Sequence, residues 1–317
     1  MTEFTIPLLS GWEPRQPASP GAVAEHLRCP ADERLYVLLD AARDDAVLRL
    51  LAQEECPFEP LFQGGRKERL YGVSPFLVRC RDASRLMDWA TSEGLGCVVF
   101  LHSREGLREL AAAMRRLLMV RTEQHEALLF RFYDPRVLRV YLPTCDGREQ
   151  GLIFAGVERY LLQATEGDAL LSFDAPAERD RQARLEGRLL IRPPQMAAFD
   201  RLAREGVMDQ LCDHLQRHLP DRCAELGQRE TRRLVDLGMD RAAAHGLTME
   251  QDVSSYINLM FVLGRDFDSD PALAWAGKIL RDPQVEDPSD RMVLLYEEAA
   301  ERLEQRPRGA GSEELRP

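Results

Sequence analysis

Three charged residues in one short stretch could do chemistry together: Arg131, Asp134 and Arg136 in LFRFYDPR. They interrupt the apolar and aromatic run Leu128, Leu129, Phe130, Phe132 and Tyr133, which has the composition of a strand buried on both faces. A guanidinium beside a buried strand needs a carboxylate, and Asp134 can supply one to Arg131 or Arg136. Breaking such a pair, if it is buried, costs about 3–5 kcal/mol. Pro135 has no N–H to give a ladder, and its fixed φ suits a first helical turn, so strand, charged corner and helix start follow in order.

Other residue sets invite chemistry more weakly. Asp40 and Asp134 end two expected strands, and His102 and Ser103 end a third. Strand ends are where α/β enzymes keep their catalytic groups, so a hydrolase using Asp40, His102, Ser103 and Asp134 is the competing function. Each of these residues also serves as a helix cap or turn former. His214 and His218 share a helix face, with Cys212 and Cys223 nearby, which suggests a zinc-dependent regulator as a third reading. Nothing in the spacing supplies a full ligand set, and a polar helix face near a C-terminus, where His also suits the helix dipole, is the better explanation. Asp266, Asp268 and Asp270 resemble the start of a calcium loop. That loop needs Gly and Glu where Pro271 and Gly277 stand, so the run reads as a turn with Asp270 as cap. The chain has no GxGxxG, GxxxxGK[ST] or GxSxG; Gly64-Gly65-Arg66-Lys67 lacks the phosphate-loop spacing. No cofactor and no metal is expected.

The elements that must position these residues alternate. Leu35–Leu39 reads as a buried strand ending at Asp40, which caps a helix over 41–55. Phe76–Val78 and Cys97–Leu101 are further strands. Helices are expected over 84–92, around Trp89, and over 104–116. Residues 152–160 and 169–173 look extended, with a break at Gly147. The fold class is therefore an α/β N-terminal domain with a mixed or parallel sheet, followed by an all-α domain. Residues 1–33 form a lead-in and 34–175 the α/β domain. Residues 176–194 form a charged linker, 195–305 the helical domain, and 306–317 a polar tail expected to be disordered.

The totals narrow the function class. With 317 residues and 44% hydrophobic content, two domains with real cores are expected. A net charge of −11 argues against general nucleic-acid binding. Seven scattered cysteines without CxxC suit reduced thiols, and neither a signal peptide nor a membrane span is read, so the expected location is cytoplasmic.

With LYVLLDAARD (35–44), YGVSPFLV (71–78), the Trp89 helix, GCVVFLHS (96–103) and above all LFRFYDPRVL (129–138), the chain resembles the domain of unknown function 4123 family, adaptors or chaperones of bacterial type VI secretion systems. The resemblance spans about residues 34–165. The run over 250–280, with YINLMFVLGRDFDSDPALAWAGKIL, is similar to the helical extension of many members. LIFAGVERYLL (152–162) departs from the more aromatic, Gly-Pro-containing segment usual there. The resemblance implies a non-enzymatic protein that binds a toxic effector and loads it onto a cognate VgrG or PAAR spike protein. It brings no catalytic residues. Its signature comprises Asp40, Arg131, Phe132, Asp134, Pro135 and Arg136, read first as a structural corner and second as a partner contact.

Overall fold

The computed structural model describes residues 27–54, 56–63, 70–80, 84–164, 169–177 and 188–305. The expected lead-in lies outside them as far as residue 26, as do Gly64-Gly65-Arg66-Lys67, most of the charged stretch after 177, and the tail from 306. The chain divides into two compact units, residues 1–202 and 203–317.

In the first unit, the unbroken apolar runs form the central strands, because only a strand covered on both faces keeps every side chain dry. They are β1 (Arg34–Asp40), β3 (Pro75–Arg79) and β4 (Val98–Ser103), with the short β2 (Phe58–Pro60) at one edge. β7 (Arg159–Gln163) and β8 (Leu170–Asp174) complete a six-stranded sheet in the order β2-β3-β1-β4-β7-β8. Every pairing in it is antiparallel: Leu38 opposes Leu77 on one side and Val99 on the other. The mixed sheet is the smaller one, where β5 (Met119–Thr122) pairs antiparallel with β6 (Ala127–Leu129) and parallel with β9 (Leu190–Ile191). The α/β unit followed by helices is as the sequence predicts, but its main sheet is not parallel.

Among the described residues this unit also holds helices α1 (Ala46–Gln53), α2 (Arg85–Ala90), α3 (Leu107–Arg115), α4 (Pro135–Tyr141) and α5 (Gly147–Ile153). The two faces of the main sheet feed two cores. Val37, Leu39, Phe76 and Phe100 pack with α1 and α2; Tyr36, Leu38, Leu77 and Leu101 pack with α3, Phe130, Phe132 and Tyr141. The expected strand over 128–133 ends at Leu129. Phe130, Phe132 and Tyr133 are instead a buried connection whose rings pack edge to face, Phe130 against Tyr141 and Phe132 against Tyr133. Residues 152–160 are not extended throughout either, since Gly147–Ile153 is helical. Asp146 accepts from the Glu149 N–H and Glu149 from the Asp146 N–H, a reciprocal cap that starts a helix at Gly147 rather than a break. The stretch read as linker contributes β9, and its Leu189 and Ile191 are buried.

Helix α6 (Pro193–His218) opens on two prolines, which a first turn tolerates because its N–H groups have no helical partner. From Ala203 on, the second unit is helical: the rest of α6, then α7 (Pro220–Leu226), α8 (Gln228–Ala244), α9 (Glu250–Leu263), α10 (Ala274–Leu280) and α11 (Pro288–Glu304). Its core joins Leu211, Leu215, Val235, Tyr256, Phe267 and Leu295. α8 and α9 meet at Gly238, where a Cβ would stand 2.6 Å from Ile257 Cγ1 and 2.9 Å from Met260 Sδ.

Candidate functional site

The charged corner is built from two segments 91 residues apart. Asp40, at the end of β1, is fully buried. Its Oδ1 accepts from the Ala42 N–H at 3.1 Å, and its carbonyl from the Arg43 N–H, so the chain turns tightly after β1. Asp40 thus forms a turn rather than capping the next helix; Asp45 holds that helix's N-cap position without a side-chain cap bond, and Asp44, one residue before it, accepts from Ala46 N at 2.7 Å. Asp40 Oδ2 accepts from Arg131 Nη2 at 2.6 Å.

Asp134 is the N-cap of α4, with Pro135 in its first turn. Its Oδ1 accepts from the Arg136 N–H at 3.0 Å, and the two oxygens take Arg136 Nε at 3.1 Å and Nη2 at 2.8 Å. Arg43 Nη1 approaches Oδ1 at 3.4 Å. Asp134 therefore pairs with Arg136 and Arg43, while Arg131 belongs to Asp40. Burial alone would raise the Asp134 carboxyl. The hydrogen bond and charge of Arg136, then the charge of Arg43, outweigh it and hold the group below its ordinary value. Arg131 lies over the Tyr133 ring, 5.7 Å from its centroid. Burial pushes the Tyr133 hydroxyl up to about 12.

The carboxylates are dry and the cations are not. The Asp40 and Asp134 side chains are 0% and 2% exposed, whereas those of Arg131 and Arg136 are 42% and 44% exposed. Three arginines share two carboxylates, so the corner carries one net positive charge on an acidic chain. Phe132 and Pro135 are buried and act as its floor. Such an arrangement holds two guanidinium groups in fixed positions at the surface. Each retains N–H groups for carboxylate or carbonyl acceptors on another molecule.

The competing hydrolase set does not assemble. His102 and Ser103 oppose Leu35 and Arg34, at the start of β1, while Asp40 is at its end. Antiparallel pairing thus places them about 20 Å apart along the sheet. In a parallel sheet these strand ends would have coincided. Ser103 Oγ donates to the Gly156 carbonyl at 2.5 Å and accepts from Glu105 N. His102 is buried, with Nδ1 3.6 Å from Glu33, and burial followed by the Arg159 charge lowers its pKa to about 4.

In the second unit, the His214 and His218 rings lie 4.4 Å apart, and Asn258 Nδ2 is 3.3 Å from His214 Nε2. Cys223 is buried in the helical core, and no three His, Cys, Asp or Glu side chains among the described residues converge as metal ligands. Asp268 anchors a turn, accepting from Tyr256 Oη at 2.7 Å beside His245 and Arg241. Asp270 caps the 3₁₀ turn at Pro271–Leu273.

Sequence reasoning missed Arg43, and with it the third cation of the corner. It also missed a buried set in which Arg192 Nε and Nη2 donate to Glu149 at 2.8 and 2.9 Å, with Gln195 beside them. The spacing Asp146-x-x-Glu149 announced half of that set.

Residues 35–152 match the model of the family described as a domain of unknown function (DUF4123). Over that stretch the chain is similar to this domain. The DUF4123 match contains Asp40, Arg43, Arg131, Asp134 and Arg136, the whole charged corner. It stops at Leu152, the first residue of LIFAGVERYLL. No curated protein and no solved structure matches the chain. No described helix is long and apolar enough to cross a membrane.

Proposed function

We propose that this protein is a cytoplasmic adaptor of a bacterial type VI secretion system, which binds a toxic effector and loads it onto a VgrG or PAAR spike protein. The observation that carries this reading is the DUF4123 match over the charged corner, with Arg131 and Arg136 held half-exposed by dry carboxylates. An adaptor needs complementary surface rather than turnover. Arginine clamped by a buried partner loses little further freedom on binding, so it makes a good anchor at an interface. One positive corner on a chain of net charge −11 also gives an acidic partner a place to register.

Co-expression with the products of the neighbouring genes, followed by affinity purification of this chain, tests the proposal. A stoichiometric complex with an effector or a spike protein is expected. Recovery of the chain alone, under conditions where both candidates are soluble, would count decisively against it.

A further inference from the structure

Helix α11 buries Met292, Leu295 and Ala299 against its own unit. At 100° per residue, Val293, Tyr296, Ala300 and Leu303 fall in a second row about a quarter turn round the helix from the buried one, spaced three, four and three apart. That row is exposed: Val293 is 55% and Tyr296 49% accessible. Asp290, Glu297, Glu301 and Glu304 form an exposed row beside it, at intervals of seven, four and three. The two basic residues of α11 are already engaged. Arg291 donates to the Leu280 carbonyl at 2.9 Å. Arg302 donates to Glu298 at 2.6 Å and lies over the Trp275 ring. The outward face therefore offers an apolar stripe with an acidic border and no uncommitted cation of its own.

We infer that this face of α11 docks an amphipathic helix from another protein, with an apolar stripe flanked by lysine or arginine. Apolar spacing of three and four is what a packed helix presents and reads, so the stripe fits a helical occupant better than an extended one. The acidic row selects the sign of its flank. A second copy of this chain brings the same acids to the contact, and an anionic lipid surface is repelled by them. This inference rests on α11 alone and goes beyond the adaptor reading, whose corner lies in the other unit.

The test uses the full chain and a fluorescein-labelled helical peptide of about 18 residues, long enough to hold a helix. Its leucines stand at i, i+3, i+4 and i+7 and its lysines beside them; a second peptide has glutamate for every lysine. Anisotropy at physiological salt should show binding of the lysine peptide at least about tenfold tighter than of the glutamate peptide. The exposed-site variant Val293→Ser/Tyr296→Ser should lose binding, and Glu297→Lys/Glu301→Lys should reverse the preference. Absence of binding, equal affinity for both peptides, or binding indifferent to these substitutions would overturn the inference. So would a wild-type dimer that Val293→Ser/Tyr296→Ser dissociates, which would assign the face to a second copy.

Discussion

Replacing Asp134 separates the two tasks the structure gives it. Asp134→Ala removes the N-cap of α4, worth about 1 kcal/mol, and the bidentate pair with Arg136. If the arginines were buried, the combined loss would approach the roughly 3–5 kcal/mol of a broken buried pair. They are 44% and 27% exposed, so both rehydrate when the carboxylate goes, and the expected loss falls to about 2–3 kcal/mol. Asp134→Asn keeps an oxygen for the Arg136 N–H and should cost about half as much. The pH dependence has a definite sign. A carboxyl held below its ordinary value of 3.8 adds stability above that pH and loses it as pH falls through the folded pKa. The gap between wild type and Asp134→Asn should therefore be full at pH 7 and close below about pH 4. Urea unfolding, followed by Trp89 fluorescence in a Trp12→Phe/Trp275→Phe background, reports on the first unit. Equal midpoints for Asp134→Ala and wild type would refute the reasoning. A loss well above about 5 kcal/mol would show that the arginines are dry after all.

Other expectations follow from the same packing. Glu149→Ala strands the Arg192 guanidinium and removes a reciprocal cap, so it should destabilise the first unit by about 3 kcal/mol in the same unfolding assay. Gly238→Ala pushes a methyl into Ile257 and Met260, and should destabilise the second unit by about 1–3 kcal/mol, read by Trp275 fluorescence in a Trp12→Phe/Trp89→Phe background. His102 is neutral in the fold at a pKa of about 4 against 6.5 unfolded. Protons therefore favour the unfolded chain as pH falls from about 6.5 to 4, and roughly 3 kcal/mol of stability is lost across that window. His102→Leu should remove that part of the pH slope, and an unchanged slope would show that His102 is hydrated.

What the sequence made legible, and what it hid, divides along physical lines. β1 and β4 were readable because Tyr36–Leu39 and Val98–Leu101 are unbroken apolar runs dry on both faces, which few structures other than a central strand accommodate. The direction of pairing was not, since an apolar run gives no record of whether its neighbour runs parallel or antiparallel. That gap produced the imagined meeting of Asp40 with His102. The run Leu128–Tyr133 has strand composition, yet its rings are buried by clustering with Tyr141 and Phe199 rather than by a ladder. Arg131 in its middle was the warning sign, because a ladder residue facing the core has nowhere to send a guanidinium. Within the corner, the Asp134–Pro135–Arg136 cap was legible because it is local, whereas Asp40–Arg131 spans 91 residues and leaves no local trace.

The central claim is that Arg131 and Arg136 are presented to a partner rather than spent on the fold. Exchanging each pair for uncharged groups, Asp40→Asn with Arg131→Gln and Asp134→Asn with Arg136→Gln, deletes the cations without leaving a buried charge. Calorimetric titration of this quadruple variant with the spike or effector protein that co-purifies with the wild-type chain is the direct measurement. The account predicts a folded variant whose affinity is at least about thirtyfold weaker, as the loss of one interface anchor requires. A folded variant that binds as tightly as wild type would contradict it.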